Sequence, residues 1–249
     1  MKNNITLITG GSRGIGRATA LLLAQKGHTI CINYRSQQAR AEEVVALIRQ
    51  RGGSAIAIAA DIADEEQVVA MFQQIDCQLG PLTGLVNNAG ILQQQASIEQ
   101  LDARRIATVF ATNVSGSFIC AREAVKRMAL RHGGQGGAIV NVSSAASRLG
   151  APHEYVDYAA SKGAVDTLTT GLALEVAAQG IRVNAVRPGL IYTEMHADGG
   201  EPGRVDRVKD NLPMKRGGQP EEVAQAIAWL LSDEASYVTG SFLDMAGGR

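Results

Sequence analysis

The chain has 249 residues, of which 45% are hydrophobic and 19% charged, and its 24 basic residues equal its 24 acidic ones in number. This composition supplies a substantial apolar core and excludes a disordered chain. A formal net charge of zero offers no overall field to attract nucleic acid or an anionic membrane, so we expect neither as a partner.

The cysteines and histidines predict neither disulfides nor a metal site. Cys31, Cys77 and Cys120 are odd in number and lack a C-x-x-C spacing, which is typical of reduced thiols in a cytoplasmic protein. The four histidines show no ligand spacing, so we expect no metal. No apolar run reaches the ~18 residues of a membrane span, and the first is too short for a signal peptide. We therefore expect a soluble, unexported protein that is cytoplasmic.

Short apolar runs alternate with helical patterns along the chain. The runs predict strands at residues 5–9, 29–33, 55–59, 85–87, 138–142, 182–186 and 241–244. Apolar stripes predict helices at residues 18–24, 44–48, 164–176 and 223–231. Another helix is predicted to begin at Asp64, with Gln67 completing a capping box. The alternation predicts an α/β fold, a doubly wound, seven-stranded parallel sheet of the Rossmann type with helices on both faces.

The domain organisation is expected to be simple. The chain contains no Pro/Ser-rich linker and no internal repeat, so residues 1–249 are expected to form a single domain. Residues 191–218 lack clear periodicity and contain five glycines and two prolines. Aperiodic segments of this length inside compact domains are usually functional, which predicts a substrate lid.

A glycine-rich loop follows the first strand directly, and the next helix begins within it. Gly10, Gly14 and Gly16 are spaced with a longer first gap than the common G-x-G-x-x-G pattern. Backbone amides at such a helix N-terminus point at an anion, and glycines let a pyrophosphate approach the main chain. The position after the first strand favours phosphate binding over a merely structural turn.

The end of the second predicted strand indicates which dinucleotide binds. An NAD site needs a carboxylate about twenty residues after the loop, but the strand ends at Asn33, Tyr34 and Arg35, and the first acid is Glu42. Arg35 and Arg13 carry guanidinium groups that suit a 2′-phosphate. We therefore expect NADP (NADPH) as the cofactor in preference to NAD. The alternative is that both arginines are solvated charges on the surface.

Tyr158 and Lys162 lie four residues apart on a predicted helix, so their side chains leave the same face. A neighbouring cation favours the phenolate, so the pKa of Tyr158 is expected to fall from about 10 towards neutrality. Tyr158 would then be an acid/base catalyst. Taken alone, the spacing also fits an ordinary packing pair.

Several motifs occur together in the order and rough spacing of a known family. They are Thr9-Gly10-x-x-x-Gly14-x-Gly16, Asn87-Asn88-Ala89-Gly90, Asn113, Ser144, Tyr158-x-x-x-Lys162 and Pro188-Gly189. Over essentially its whole length the chain resembles the single-domain short-chain dehydrogenase/reductases, and it is most similar to bacterial glucose 1-dehydrogenase-like and 3-oxoacyl-reductase-like members. The resemblance implies an NADP(H)-dependent oxidoreductase that interconverts an alcohol and a carbonyl by hydride transfer.

The resemblance also implies catalytic roles. Ser144 would bind the substrate oxygen, Tyr158 would contact the substrate and transfer the proton, and Lys162 would hold the nicotinamide ribose while lowering the pKa of Tyr158. Asn113 would anchor an ordered water through its main chain, or would merely kink or cap a helix. Ser143 remains a minor alternative to Ser144, which precedes Tyr158 by fourteen residues, one more than in many relatives. An inserted residue is therefore expected within residues 147–157.

The resemblance further implies the cofactor contacts. Asp61 and Ile62 would bracket the adenine ring, although an Asp that leads a helix is often only a cap. Asn88 would also brace the central sheet, and the Ile191 main chain and the Thr193 hydroxyl would bind the carboxamide. The full set of implied contacts is Gly10, Ser12, Arg13, Gly14, Ile15, Gly16, Asn33, Tyr34, Arg35, Asp61, Ile62, Asn88, Ala89, Gly90, Tyr158, Lys162, Pro188, Gly189, Ile191 and Thr193.

Substrate choice is expected to lie in residues 194–218 and 145–155, with Tyr155 as a pocket wall. Acids and bases balance between residues 194 and 216, which gives no electrostatic case for a phosphate-rich acyl carrier. His153, Glu154 and His196 favour a small sugar or polyol, unless they are solvated loop residues.

Alternative functions remain open at this level. They are a 3-oxoacyl (carrier-bound) reductase, a dehydratase or epimerase on the same scaffold, and a non-catalytic dinucleotide-binding sensor or scaffold. The intact set of Asn113, Ser144, Tyr158 and Lys162 argues against the last. The resemblance also implies a homo-oligomer, a tetramer, and the apolar stripes of residues 110–128 and 164–176 permit one.

Overall fold

The computed structural model describes residues 4–249, in which seven strands form one parallel sheet. Its strands are β1 Ile5–Ile8, β2 Thr29–Tyr34, β3 Ser54–Ala59, β4 Gly84–Asn87, β5 Gly137–Val142, β6 Ile181–Pro188 and β7 Phe242–Met245. They lie in the order β3-β2-β1-β4-β5-β6-β7. Because β1 pairs with both β2 and β4, the strand order reverses at β1, which confirms the doubly wound sheet. The predicted strand limits are correct to within two residues.

Helices cover both faces of this sheet. In the described chain they are α1 Gly14–Gln25, α2 Gln38–Gln50, α3 Glu65–Gln78, α4 Ala103–Phe110, α5 Gly116–Met128, α6 Ala146–Leu149, α7 Val156–Val176, α8 Met195–Asp198, α9 Arg204–Val208 and α10 Pro220–Leu231. A π-helical turn, Ala111–Ser115, joins α4 to α5. None of the helices in residues 4–249 is both long and apolar enough to cross a membrane.

Two apolar cores lie on opposite faces of the sheet. The neighbouring residues Leu7 and Ile8 of β1 point to opposite faces and belong to different cores. Leu7 packs with Phe72 of α3, whereas Ile8 packs with Ile227 of α10. All three cysteines are free thiols.

The N-terminus of α3 shows a capping arrangement that differs from the predicted one. The Asp64 carboxylate accepts a hydrogen bond from the Gln67 amide at 3.1 Å, as expected. The reciprocal bond is absent among the described contacts, because Gln67 Oε1 accepts instead from the Asp61 amide at 2.9 Å. Gln67 therefore fixes the loop after β3 as well as the helix.

Residues 191–218 are more regular than their sequence indicates. They contain α8, α9 and a 3₁₀ turn at Lys209–Asn211. The two ends of the segment lie next to each other, since Ile191 and Gly218 form a β-bridge. The prediction of an aperiodic loop is wrong here because these helices are too short to show a repeat.

Candidate active site

The carboxyl ends of the strands bring the predicted residues to one edge of the sheet, beginning with the glycine loop after β1. Gly10 and Gly14 adopt left-handed conformations, with φ of 62° and 50°. A Cβ atom on Gly10 would lie 3.0 Å from Ala89 Cα, and one on Gly14 would lie 3.2 Å from Thr193 Cγ2. The loop is thus packed closely between the loop after β4 and residues 191–218.

Gly16 lies behind this loop. A Cβ atom there would come within 2.5 Å of the Gly10 carbonyl oxygen and 2.6 Å of Asn88 Nδ2. Asn88 Nδ2 itself donates to the carbonyl oxygens of Thr9, at 2.9 Å, and Gly10, at 3.1 Å. Asn88 therefore braces the glycine loop.

The predicted bracing of the central sheet belongs to Asn87, not to Asn88. Asn87 Nδ2 donates to Asn141 Oδ1 at 3.0 Å, which links β4 to β5. It also donates to the Ser117 carbonyl oxygen at 3.2 Å. Sequence could not separate these two adjacent asparagines, because which one faces the neighbouring strand depends on the pleat.

Most of the predicted cofactor residues line one groove, which we call the glycine-loop groove. Those that line it are Gly10, Ser12, Arg13, Gly14, Ile15, Asn33, Tyr34, Arg35, Asp61, Ile62, Asn88, Ala89, Gly90 and Thr193. No side chain of the described chain caps the N-terminus of α1, which leaves its amides available to an anion. A glycine cradle and an uncapped helix N-terminus fit the pyrophosphate of a dinucleotide.

The part of the groove in which we expect the adenosine of a dinucleotide contains both predicted arginines, and the two have different contacts. Arg35 is exposed and lines the groove. Arg13 instead forms an ion pair with Asp198 of α8. Asn33 accepts a hydrogen bond from the Gly10 amide at 3.4 Å and donates to the Ala60 carbonyl oxygen at 2.9 Å, so its side chain fixes the loops. Asp61 does not cap α3, because its Oδ1 accepts from the Ala63 amide at 3.0 Å.

A second cavity, which we call the tyrosine pocket, opens beside the groove. The predicted residues that line it are Ile15, Asn88, Ser144, Tyr158, Lys162, Pro188, Gly189, Ile191 and Thr193. Ile15, Asn88 and Thr193 line both spaces, so the groove and the pocket are contiguous. A dinucleotide in the groove would therefore reach the pocket that contains Tyr158.

The Tyr158–Lys162 pair differs from its predicted electrostatics. Lys162 Nζ donates to the Val142 carbonyl oxygen at 2.7 Å and lies 5.6 Å from the centroid of the Tyr158 ring. Burial raises the pKa of Tyr158 to about 12, and a hydrogen bond with Ser144 opposes this rise. Burial lowers the pKa of Lys162 to about 8, opposed by the charge of Asp166. The predicted fall in the Tyr158 pKa is wrong for the protein alone, because burial outweighs the hydrogen bond with Ser144.

The two serines after β5 have different environments. The Ser143 hydroxyl is buried and donates to Asp166 Oδ1 at 2.6 Å. Ser144 lines the pocket, as Ser143 does, but its hydroxyl forms a hydrogen bond with Tyr158 and accepts from the Ala146 amide at 3.1 Å. The geometry favours Ser144 over Ser143 as the hydroxyl that meets a substrate.

Asn113 lies in the π-helical turn and is fully buried. Its Nδ2 donates to Ser161 Oγ at 3.0 Å, and its carbonyl oxygen accepts from the Ser117 hydroxyl at 2.9 Å. A Cβ atom on Gly90 would lie 3.4 Å from Asn113 Oδ1 and 3.5 Å from Lys162 Nζ. Asn113 therefore sits at a helix irregularity, as expected if it kinks a helix. It also lies beside Lys162, as expected if it takes part in a proton relay.

The outer wall of the tyrosine pocket carries a neutralised charge cluster. Arg204 of α9 pairs with Glu154, at 2.9 Å from Nη1 to Oε1, and lies over the Tyr155 ring, 5.1 Å from its centroid. Glu201 lies 3.4 Å from Arg204. The Tyr155 hydroxyl donates to the Gly199 carbonyl oxygen at 3.2 Å, and the ring lines the pocket, which confirms the predicted wall.

Of the two histidines suggested as substrate contacts, one lines the tyrosine pocket and the other does not. His153 is exposed and does not line the pocket, so this suggestion is wrong. His196 lines the pocket, and its Nε2 lies 3.0 Å from the Ile191 carbonyl oxygen. Burial lowers the pKa of His196. Nowhere in residues 4–249 do three or more His, Cys, Asp or Glu side chains converge as metal ligands.

Sequence reasoning missed Asp166 and Arg187, which form an ion pair of 3.0 Å behind the pocket. A signal was present, because Asp166 repeats the four-residue spacing of Tyr158 and Lys162 on α7. Arg187 follows the predicted end of β6 by one residue, and nothing in the sequence pointed to its partner.

The chain is similar to several oxidoreductases. Residues 10–249 match the model of a family described as Enoyl-(Acyl carrier protein) reductase. An Escherichia coli (strain K12) protein named Uncharacterized oxidoreductase YgfF is 72% identical, over 98% of this chain and 99% of the relative. A 3-oxoacyl-[acyl-carrier-protein] reductase FabG of Staphylococcus aureus (strain Mu50 / ATCC 700699) is 38% identical, over 97% and 96%.

Two further comparisons extend the likeness. Glucose 1-dehydrogenase 2 of Bacillus subtilis (strain 168) is 37% identical, over 97% of this chain and 93% of that protein. The crystal structure of a dehydrogenase/reductase from Sinorhizobium meliloti 1021 matches with a TM-score of 0.91 and 33% identity, over 100% of this chain and 95% of that chain.

Proposed function

The chain belongs to the short-chain dehydrogenase/reductase family, and on that premise we propose that it is an NADP(H)-dependent enzyme that interconverts an alcohol and a carbonyl of a small sugar or polyol. The observation that carries this proposal is the continuity of the glycine-loop groove with the pocket that contains Ser144, Tyr158 and Lys162. The groove suits a dinucleotide, and the pocket suits a small substrate beside it.

The proposed chemistry divides between cofactor and protein. The bound nicotinamide dinucleotide would supply or accept the hydride. Ser144 would orient the substrate oxygen, and Tyr158 would exchange its proton. With a pKa of about 12, Tyr158 is protonated at neutral pH, so the protein alone holds the acid that carbonyl reduction requires. Lys162, whose Nζ lies near Gly90 of the groove, would hold the ribose hydroxyls.

The preference for NADP is supported by the charges around the adenosine end of the groove. Arg35 lines the groove near the end of β2, and neither Asn33 nor Tyr34 beside it is acidic. Asp198 competes for Arg13, so Arg35 is the better candidate for the 2′-phosphate. Michaelis constants for the two cofactors test this proposal, and a clear preference for NAD would contradict it.

The substrate class is supported by the outer wall of the tyrosine pocket. Arg204 and Glu154 place hydrogen-bonding groups there, and their ion pair leaves no excess positive charge. Such a wall suits hydroxyl groups better than a phosphate. Absorbance assays at the nicotinamide band with sugars, polyols and their oxidised forms would test the class, and activity restricted to other carbonyls would contradict it.

A second candidate is 3-oxoacyl reduction. It is supported by the similarity to the Staphylococcus aureus FabG and by apolar side chains in the pocket, including Leu92, Leu149 and Leu212. Reduction of a 3-oxoacyl thioester at least tenfold more efficient than that of any sugar or polyol would favour this candidate.

The remaining proposals concern setting and assembly. We take residues 1–249 as one domain with residues 191–218 as its lid, acting as a homotetramer in the cytoplasm. Exposed apolar side chains on α5 and α7, Phe118 and Leu174, support an oligomer. Light scattering in solution would test the tetramer, and a monomer would contradict it.

A further inference from the structure

A polar cluster centred on Asp166 ties the ends of β5 and β6 to α7. Asp166 Oδ1 accepts from the Ser143 hydroxyl at 2.6 Å, and Oδ2 accepts from Arg187 Nε at 3.1 Å. The side chains of Asp166 and Arg187 are only 14% and 16% exposed. Such a partly buried pair is costly to break by removing one partner, since the other charge is left behind.

Arg187 is held from its other side by β7. Its guanidinium carbon lies 3.9 Å from the centroid of the Phe242 ring, and Nη1 lies 3.7 Å from Asp244. A cation stacked on an aromatic face and flanked by two carboxylates has little freedom to move. The cluster therefore gives Asp166 a fixed position relative to the sheet.

The cluster lies directly behind the predicted catalytic side chains. Ser143 precedes Ser144 in the chain, and its hydroxyl also lies 3.3 Å from the Lys162 carbonyl oxygen. Asp166 follows Lys162 by one turn of α7. One carboxylate thus binds the backbone segment that presents Ser144 and stands on the helix that presents Lys162.

We propose that Asp166 is a positioning residue that fixes the end of β5, with Ser144, against the turn of α7 that carries Tyr158 and Lys162, and that provides the anionic charge behind Lys162. The reaction that Asp166 would serve rests on the proposed function, whereas the contacts of the cluster are independent of that function.

The charges around α7 leave Asp166 as the group that acts on Lys162. Burial lowers the pKa of Lys162 to about 8, and the Asp166 charge opposes that fall. The other charged groups packed against α7 have their own partners, Arg105 of α4 with Asp157 at 2.8 Å and Arg148 of α6 with Asp244 at 3.4 Å. Removal of the Asp166 charge should lower the pKa of Lys162 further, by about one pH unit.

Two variants separate the charge of Asp166 from its reach. Asp166→Asn keeps the shape and removes the charge, whereas Asp166→Glu keeps the charge and displaces the carboxylate. Ser143→Ala removes one contact and leaves the charge in place. Asp76→Asn is the matched control, because Asp76 pairs with Arg127 on α5, away from the site.

The main measurement needs no substrate. The dissociation constant of NADPH, or of NADH if it binds more tightly, is followed by nucleotide fluorescence from about pH 6 to about pH 10. Thermal unfolding of each variant reports whether it folds. Turnover is measured separately with the best alcohol or carbonyl found.

We expect Asp166→Asn to lose its affinity for the cofactor at a pH about one unit lower than the wild-type protein does. In Asp166→Glu, cofactor affinity should be lost at the same pH as in the wild type, but kcat should be about tenfold lower than in the wild type. Ser143→Ala should also lower kcat, and its cofactor affinity should be lost at the wild-type pH. A folded Asp166→Asn protein with the wild-type pH dependence, or an equal movement in Asp76→Asn, would overturn the proposal.

Two outcomes remain to be distinguished. If Asp166→Asn does not fold, wild-type kcat in both Asp166→Glu and Ser143→Ala would overturn the proposal, and lowered kcat in both would support it. If the wild-type protein turns over no alcohol or carbonyl, the proposed function fails, while the pH dependence of cofactor binding still decides the role of Asp166.

Discussion

The Asn113 side chain holds the backbone of Ile91 through both of its polar atoms. Oδ1 accepts from the Ile91 amide at 2.8 Å, and Nδ2 donates to the Ile91 carbonyl oxygen at 3.1 Å. Ile91 follows Gly90, so this pair fixes the loop after β4 against the π-helical turn. Asn113, from whose main chain we predict a proton relay, is therefore held in a fixed position.

Asn113→Ala should destabilise the protein by about 2–4 kcal/mol, because it leaves two partly buried backbone groups of Ile91 without partners. Turnover should fall as well, since the loop beside Lys162 loses its support. Urea unfolding and kcat measure the two effects. The exposed Asn211 provides the control substitution Asn211→Ala, and equal stability of the two variants would contradict the assignment.

Tyr158→Phe should lower kcat by about 10²–10⁴-fold, the usual contribution of a positioned acid/base group. NADPH affinity should change little, because the ring remains. Tyr155→Phe removes a hydroxyl from the same pocket, but one that donates to Gly199, so it should keep most of the turnover. A Tyr158→Phe enzyme with turnover like that of Tyr155→Phe would exclude Tyr158 as the proton donor.

Ser144→Ala should lower kcat about 100-fold, because the substrate oxygen loses its orienting hydrogen bond. Steady-state kinetics with the best substrate give the value. Near-normal turnover would reject the assignment of the hydroxyl to Ser144.

Lys162→Met should weaken cofactor binding and yet stabilise the fold at neutral pH. With a pKa of about 8 when folded and about 10.4 when unfolded, Lys162 carries its proton in both states below pH 8, and the folded state bears the cost of burying it. Between these values only the unfolded state keeps the proton, so wild-type stability rises with pH through this window.

The Tm of Lys162→Met should therefore exceed that of the wild type by about 3 °C or more at pH 7, and the difference should narrow towards pH 10. Calorimetry at several pH values measures this, with Lys126→Met at an exposed position of α5 as the control. A difference that widens as the pH rises would contradict the sign of the Lys162 shift.

Arg35→Ala should raise the Michaelis constant for NADPH about tenfold and leave that for NADH unchanged, because one phosphate contact is lost. Asp198→Asn should have the opposite effect and lower the constant for NADPH by up to about fivefold, since it frees Arg13 from an exposed ion pair. Equal effects on both cofactors would reject the 2′-phosphate assignment.

The sheet could be predicted because apolar strands and glycine signals are local. The helices α8 and α9 could not, since four or five residues are too few to show a helical period. The direction of the Tyr158 pKa shift depends on burial and on the hydrogen bond with Ser144. Neither is visible in a spacing of four residues.

Pairings between distant residues were likewise beyond the sequence. The arginine of the glycine loop was correctly recognised as a groove residue, but its ion pair with Asp198 joins positions 185 residues apart. Asp166 and Arg187 are closer in sequence, yet their contact depends on the packing of α7 against the end of β6.

The π-helical turn Ala111–Ser115 holds one residue more than an α-helical turn would, so it sets the register between α4 and α5. Each α-helical residue contributes a rotation of ~100°, so deleting one residue outside this turn would rotate the rest of the segment away from its present neighbours, whereas a deletion within the turn would leave a regular α-helical turn. Arg105 before the turn pairs with Asp157 of α7, while Arg127 beyond it pairs with Asp76 of α3. A single-residue deletion should therefore be tolerated better within Ala111–Ser115, at a position other than Asn113, than within α5.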